Sequence, residues 1–372
     1  MLRTRLHVMN IAKPSRPAWH LLAPFCLLAG LTIAGANAGD ATSKPKEQPG
    51  FSFDCDNTPG QPCRKLVATE EGQSVMIESS SAVWSKRHQK VIVVSDNFND
   101  LAKQGAGHYV ISYFELDADG EEIPVEPLLS PEQAEGFRLY DLEGVTLIGD
   151  RLYAIGSLAL HGKDAKRDRW ERHQFLQMDL EESDGRLRAI NLAHVTDRWP
   201  NFRDWLISKS GYEWTAEEVR GRAEGDGINV EALSATSDGN LLIGFRGPLA
   251  ADGGTLALEI ELPTTADDEP VLINAHVLAP VDLPHIPKGA AKTLRAISMV
   301  PGKPGQFYVL LGPKGYEKEE LVLARWNAKT GKLTKATLLP KNFVAEGVTP
   351  ISGGRVLVVD DLKEMVLVAT ED

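Results

Sequence analysis

A hairpin pattern recurs five times along this chain of 372 residues and limits the possible folds more than any other feature. Each copy opens with a charged residue and a short strand, passes through a polar turn, and returns in an apolar, β-rich strand. The copies begin at Glu78, Glu143, Glu231, Arg295 and Glu346. A second hairpin with an Asp-, Gly- or Lys-rich turn follows each of the first four copies. Two hairpins per repeat predict an all-β propeller built from four-stranded antiparallel blades.

The end of the repeat indicates how the propeller closes. The fifth repeat ends after "EMVLVAT", one strand short of a blade, whereas "RKLVAT" (Arg64 to Thr69) precedes the first copy without a partner. We therefore predict five blades, the last completed by this N-terminal strand. A sixth, poorly marked blade within residues 192–228 is the alternative.

The first 38 residues predict an export signal. A basic start leads into an apolar stretch, and "ANA" at Ala36 to Ala38 has the small residues that a signal peptidase selects. Pro24 interrupts the stretch, which is short for a membrane span. An uncleaved anchor is the alternative. We predict a signal peptide at 1–38, an N-terminal extension at 39–63, and a single propeller domain at 64–372 with a loop insertion at about 192–228. The mature protein would be periplasmic or secreted, without a transmembrane span.

Cys55 and Cys63 flank a turn rich in Pro and Gly within the extension. In an oxidising compartment such a pair predicts a disulfide. The alternative, a metal site, needs more ligands than these two thiols supply.

The charge of the chain narrows the class of partner. The formal net charge is -12, although the first 38 residues carry only basic charges. An acidic protein of this kind is unsuited to nucleic acid or an anionic membrane and is compatible with binding cations. We expect a monomer whose partner is a small molecule or another protein.

The charged residues of the repeats should share one end of the propeller. In an antiparallel hairpin, the start of the first strand lies beside the end of the second. The long connections emerge at the same end, where function on a rigid scaffold is usually located. The predicted ligand-binding face comprises Glu78, Asp96, Glu143, Asn229, Glu231, Arg246, Arg295, Glu346, Asp360 and Asp361.

Glu143, Glu231 and Glu346 are the candidate metal ligands on this face. Because inner strands converge on the propeller axis, their carboxylates should approach one another and require a counter-charge. Arg246, Arg295 or a divalent cation would supply it, and oxygen ligands without a His or Cys cluster favour Ca²⁺ or Mg²⁺. Two alternatives remain open. The glutamates would accept backbone N–H bonds that fasten neighbouring blades, or form a ring of salt bridges with the arginines.

Two loops on the same face carry weaker signals. The basic stretch from His161 to His173 is suited to a phosphate or carboxylate group, and its alternative is a solvated loop. Within the 192–228 insertion, Thr215 to Arg222 predicts a short helix with a threonine cap, either part of a lid or packed on the rim.

Three stretches carry a family resemblance. "DLEGVTLIGDRLYAIGS", "INVEALSATSDGNLLIGFRGPL" and "FVAEGVTPISGGRVLVVDD" resemble the bacterial family catalogued as domain of unknown function 3616, over essentially the whole chain after Phe51. The resemblance implies a propeller-like, often exported protein.

A more distant resemblance concerns the Glu-Gly-Val openings, which are similar to those of phytase-like esterases and gluconolactonase-type propellers. It implies calcium at the channel mouth, with Glu143, Glu231 and Glu346 as the matching ligands and Asn229 nearby. The chain departs from that pattern at Glu78, which lacks the following glycine, and at Arg295, which replaces the acid.

Two hypotheses of function follow. The first is an exported propeller that binds a small polar or anionic ligand or a partner at the long-loop face. The second is a divalent-cation-dependent hydrolase of a phosphate ester or lactone, with Arg246 and Arg295 stabilising an anionic transition state. The sequence contains no Gly-x-Ser-x-Gly elbow, His-Glu-x-x-His motif or phosphate-binding loop, so covalent acyl transfer has little support.

Overall fold

The computed structural model of the chain describes most residues between 50 and 371. The described ranges are 50–55, 63–116, 121–137, 139–159, 172–197, 199, 201–210, 213–214, 227–250, 253–263, 268–278, 293–313, 321–340, 343–361 and 365–371. The predicted signal peptide, residues 160–171 of the basic loop, and the helix predicted from Thr215 to Arg222 lie outside them.

Four antiparallel sheets of four strands each form the middle of the described chain; the second, third and fourth are each made of two successive hairpins, whereas in the first another strand lies between the third and fourth strands along the chain. The apolar strands and polar turns of the repeats produce this order directly. The first sheet contains β4 (Ser81–Ser85), β5 (Lys90–Val94), β6 (Ile111–Phe114) and β8 (Glu126–Pro127); the second β9 (Leu142–Ile148), β10 (Arg151–Gly156), β11 (Phe175–Ser183) and β12 (Arg186–His194); the third β13 (Asn229–Ala235), β14 (Leu241–Gly247), β15 (Thr255–Glu261) and β16 (Val271–Leu278); the fourth β17 (Thr293–Met299), β18 (Gln306–Gly312), β19 (Val322–Asn327) and β20 (Lys332–Leu338).

A seven-stranded sheet joins the two ends of the described chain. Its strands are β21 (Ala345–Pro350), β22 (Arg355–Asp360) and β23 (Met365–Glu371) from the C-terminal part, with β1 (Phe51–Phe53), β2 (Arg64–Glu70), β3 (Gln73–Met76) and β7 (Glu122–Pro124). β7 runs parallel to β2, because the chain leaves the first sheet between β6 and β8 to reach it.

The first strands of the sheets contact one another in cyclic order. β4 contacts β9, β9 contacts β13, β13 contacts β17, β17 contacts β21, and β21 contacts β4. The second strands are buried between neighbouring sheets, as in β5 and β14, where every residue is buried. This arrangement of antiparallel sheets around one axis is an all-β propeller, as predicted from the repeat.

Hydroxyl side chains tie neighbouring inner strands together. The backbone N–H of Ala235 donates to Thr146 Oγ1 at 2.8 Å, that of Trp84 donates to Thr349 Oγ1 at 2.9 Å, and that of Met299 donates to Ser234 Oγ at 3.1 Å. Each of these hydroxyls lies on one inner strand and its donor on the next. Small hydroxyl residues suit this position because the inner strands are too close for longer side chains.

Glycines allow the closest approaches at the axis. A Cβ atom on Gly347 would lie 2.9 Å from Ser81 Cα on the next inner strand, and one on Gly144 would lie 2.9 Å from the backbone nitrogen of Leu233. Distances this short are sterically excluded between a Cβ and backbone atoms. The glycine that follows Glu143 and Glu346 in the repeated motif therefore serves packing between sheets.

Two N-terminal strands, rather than the one predicted, extend the last sheet beside β23. Arg64 and Lys65 of β2 pair with Val366 and Met365, as expected for "RKLVAT". Phe51–Phe53 pairs with the other end of β23. The predicted disulfide between Cys55 and Cys63 is confirmed, and it closes the segment between these two strands.

The described part of residues 192–228 contains the end of β12, a turn of 3-10 helix and an α-helix, and it contributes no separate sheet. The helices are α1 (Phe98–Lys103), α2 (Pro131–Phe137) and α3 (Phe202–Lys209). Among the described helices, none has the length and apolar character that a membrane crossing requires.

The packing at Gly347 gives a stability prediction. We expect Gly347→Ala to lower the free energy of unfolding by about 1–3 kcal/mol, since the added methyl group must displace the backbone of the neighbouring strand. Gly136→Ala in α2 is the matched control, because nothing lies within 4 Å of a Cβ there. Equilibrium denaturation of both variants measures the difference. Equal stability of the two variants would contradict close packing at the axis.

Candidate functional site

β-Bulges interrupt four of the inner strands at the charged residue of the repeat. In the pairing of β9 with β10, Leu142 and Gly144 each have a partner residue, and the residue between them has none. In the pairing of β21 with β22, the same is true of Ala345 and Gly347. The same shift occurs in β13 and β17. The extra residues are Glu143, Glu231, Arg295 and Glu346. A bulge removes a residue from the ladder and redirects its side chain, so four equivalent bulges bring these charges to one end of the axis.

Among the described residues, seven carboxylates lie together at this end and form what we term the acidic cluster. It consists of three overlapping groups, and within each group one oxygen per residue lies within 4.8 Å of the others. The groups are Glu143, Glu231 and Glu346 (the arginine-paired group); Asp96, Asp141 and Glu143 (the Asp141 group); and Glu78, Asp96 and Asp361 (the Asp361 group). The structure thus brings the three predicted metal ligands together and adds two further groups beside them.

Two buried arginines neutralise most of the arginine-paired group. Arg246 Nη1 donates to Glu231 Oε1 at 3.0 Å, and Arg295 Nη1 donates to Glu346 Oε1 at 3.0 Å. Arg295 Nη1 also lies 3.8 Å from Glu231 Oε2, so it spans two sheets. Asn229 Nδ2 donates to Glu231 Oε1 at 2.6 Å. The salt-bridge alternative from the sequence therefore describes this part of the cluster well.

The Asp361 group has a different environment. Glu78 Oε2 accepts a hydrogen bond of 2.7 Å from Asn97 Nδ2. Asp96 Oδ1 and Asp361 Oδ1 are buried without a hydrogen-bond donor from any described residue. Because a buried acceptor without a donor costs about 1–3 kcal/mol, these oxygens need a partner that the described side chains do not supply.

Asp141 belongs to the cluster and was missed in the reasoning from sequence. It lies 3.1 Å from Arg172 Nη1, the described end of the basic loop, and its carboxylate accepts a hydrogen bond from Ser157 Oγ. A sequence signal existed: Asp141 stands two residues before Glu143, as Asn229 stands two residues before Glu231. Comparison of the repeats at that position would have identified it.

Asp360 lies at the same end but outside the three groups. Its side chain is fully buried, and the backbone N–H of Val344 donates to its carboxylate. Asp360 therefore fixes the turn that leads into β21.

The sequence also offered the alternative that the glutamates accept backbone N–H bonds between blades. Among the described hydrogen bonds, none of this kind is made by Glu143, Glu231 or Glu346. Hydroxyl residues make the contacts between neighbouring inner strands instead.

Burial and mutual repulsion keep protons on the cluster. Burial, followed by the charges of Asp141 and Glu78, raises the pKa of Asp96 to about 7. Burial and Glu231 raise the pKa of Glu346 to about 8, although Arg295 acts in the opposite direction. Burial likewise raises the pKa of Glu143 and of Asp361 well above the ordinary carboxyl range. Without a compensating cation, the cluster thus binds protons near neutral pH.

Fold and site together define a β-propeller with a buried acidic cluster at one end of its axis. No family model matches the chain, so membership of the family of domain of unknown function 3616 is not confirmed. No curated protein matches either.

Solved propellers are similar to this chain at low identity. The Cps50 (Swd1) propeller domain of Myceliophteria thermophila is 12% identical, with 81% of this chain and 85% of that chain covered at a TM-score of 0.36. PhoX of Pseudomonas fluorescens, solved with vanadate, is 10% identical, with 83% and 75% covered at a TM-score of 0.40. These values carry no conclusion about function.

The raised pKa values predict how stability depends on pH. In the unfolded chain the pKa values of these carboxyls return to the ordinary 3.8 for Asp96 and 4.5 for Glu346, below the folded values of about 7 and about 8. The folded state therefore binds more protons between these limits, and the free energy of unfolding falls as pH rises. We expect the Tm of chelator-treated protein to fall between about pH 5 and pH 8, as measured by calorimetry. A Tm that rises over this interval would contradict the raised pKa values.

Proposed function

We propose that this propeller binds a divalent cation at the Asp361 group and uses it to hold a small anionic ligand at that end of the axis. The supporting observation is the pair of buried carboxylate oxygens, Asp96 Oδ1 and Asp361 Oδ1, that no described donor satisfies. A cation in contact with these oxygens would replace the missing donors and remove the repulsion between the carboxylates.

Pairing with arginine distinguishes the arginine-paired group, which the sequence predicted as the metal site, from the Asp361 group. Glu231 and Glu346 each have an arginine at 3.0 Å, so a cation beside them would also meet Arg246 and Arg295. No described Lys, Arg or His forms an ion pair with Glu78, Asp96 or Asp361. The Asp361 group is therefore the better cation site, and Glu143, Glu231 and Glu346 remain the alternative.

The chemistry of the ligands favours calcium. The Asp361 group offers only carboxylate oxygens, which are the donors of Ca²⁺, Mg²⁺ and Mn²⁺ rather than of zinc. Ca²⁺ takes six to eight oxygens. Three carboxylates thus leave coordination positions for an anionic ligand, and Arg246 and Arg295 add positive charge at the same end of the axis.

Several features of the whole chain belong to the same proposal. The seven-stranded sheet is the fifth blade, completed by β1 and β2. Residues 1–38 direct export, and the mature chain acts in the periplasm or outside the cell, where the Cys55–Cys63 disulfide is stable. The domain limits are those given by the sequence.

Hydrolysis of a phosphate ester or lactone is the second candidate function. Buried arginines and carboxylates in one cluster provide both a cation site and stabilisation for an anionic transition state. An aryl phosphate and a sugar lactone are suitable test substrates. Turnover that depends on calcium and is lost in Asp361→Asn would favour hydrolysis over binding alone.

Calcium should stabilise the purified protein. At a free concentration about 100 times the Kd, a single site adds about 2.7 kcal/mol, so for a chain of this size we expect the Tm at pH 8 to rise by roughly 3–5 °C over the protein in chelator. Asp361→Asn should reduce this rise, because it removes a ligand of the proposed cation. Differential scanning fluorimetry with CaCl₂ or EGTA measures it.

Glu261→Gln provides the matched control, because Glu261 is an exposed carboxylate at the end of β15, outside the acidic cluster. Its calcium-dependent rise should equal that of the unmodified protein. A rise that is the same in Asp361→Asn and Glu261→Gln would rule out the Asp361 group as the cation site.

A further inference from the structure

The geometry points to a second divalent cation in the acidic cluster, held by the Asp141 group, with Asp96 as a carboxylate that bridges the two cations. This inference rests on the proposed function, because the first cation is the one at the Asp361 group. It adds a centre with two cations, which the sequence did not predict.

Asp96 is shared by the two groups. One of its oxygens lies within 4.8 Å of oxygens of Glu78 and Asp361, and an oxygen also lies within this distance of Asp141 and Glu143. Among the carboxylates that act on Asp96, Asp141 and Glu78 have the largest effects, and each belongs to a different group. Asp96 therefore lies between the two sites. A carboxylate with two oxygens in this position is the usual bridge of centres with two metal ions.

Each site has its own buried carboxylate without a partner. Asp361, 9% exposed, has an oxygen without a donor and belongs to the first site alone. Glu143, 8% exposed, makes no hydrogen bond or ion pair with a described residue and belongs to the second site. Burying an ionised carboxylate without a partner is strongly unfavourable. A single cation at the Asp361 group would leave the carboxylate of Glu143 buried without a partner.

The two groups concentrate negative charge in a small volume. They contain five carboxylates, and Arg172 is the described cationic side chain that forms an ion pair with one of them, Asp141. Cations at both groups would reduce the repulsion between these carboxylates.

Backbone contacts hold the second site in place. The N–H of Asp141 donates to the carbonyl oxygen of Asp96 at 3.2 Å, and the N–H of Ser157 donates to the carbonyl oxygen of Asp141 at 3.0 Å. The N–H of Val230 in turn donates to the carbonyl oxygen of Ser157 at 2.7 Å. The residues of the second site are thus fixed by hydrogen bonds across three sheets before any cation binds, which reduces the cost of ordering the ligands.

Calcium stoichiometry tests the inference directly. Isothermal titration of chelator-treated protein with CaCl₂ at about pH 8.5, and elemental analysis after gel filtration, should each give two calcium ions per chain. Glu143→Gln and Asp361→Asn should each leave one ion, and Asp96→Asn should weaken both sites by at least about tenfold. Glu261→Gln is the control and should retain two.

The possible failures are distinct. One ion per chain in the unmodified protein, with Glu143→Gln unchanged, would overturn the second cation and leave the proposed function intact. No bound ion would overturn both. Because elemental analysis of the unmodified protein needs no variant, misfolding of a substituted chain does not affect the ion count that decides between these outcomes.

Discussion

The close approach of the inner strands is the constraint on which the rest of the molecule depends. Gly144 and Gly347 lie where a methyl group would strike the neighbouring strand, and hydroxyl residues supply the hydrogen bonds between strands. A strand packed this closely has no room for a long charged side chain within its regular ladder. The bulges at Glu143, Glu231, Arg295 and Glu346 resolve the conflict, because they take the charged residue out of the ladder at the end of the strand.

The acidic cluster that results is uneven in charge. On the side of the third and fourth sheets and the seven-stranded sheet, Arg246 and Arg295 compensate Glu231 and Glu346. Asp96 after β5, Glu143 in β9 and Asp361 after β22 form no ion pair with a described arginine. Natural proteins seldom keep unpaired buried carboxylates, because the desolvation cost is not recovered. Among the described residues, no cationic side chain forms an ion pair with Asp96, Asp361 or Glu143, and the proposed cation would take that place.

The sequence predicted the propeller fold and the close approach of Glu143, Glu231 and Glu346, because both depend on the repeat. Alternating strands and turns indicated the sheets, and the recurring Glu positions indicated which end carries the charge. Asp141 was missed because it belongs to a position two residues before the repeated glutamate, where Asn229 and Thr293 stand in other copies. Phe51–Phe53 was missed because a strand of three residues has no detectable period. The division of the cluster into compensated and uncompensated halves depends on which arginine reaches which carboxylate, and this is decided by tertiary contacts.

The pairing of β1 and β2 with β23 has a consequence for how the chain assembles. The backbone N–H of Val368 donates to Asp54 Oδ1, and this hydrogen bond joins residues separated by 314 positions. Closing so long a loop costs more conformational entropy than forming a contact between residues close in sequence. β1 and the start of β2 have no partner in the last sheet until the C-terminal strand exists. A chain truncated before β23 would therefore present two unpaired edges at once, and edges of that kind recruit other chains. Pairing with β23 thus covers these edges as well as joining the two ends of the described chain.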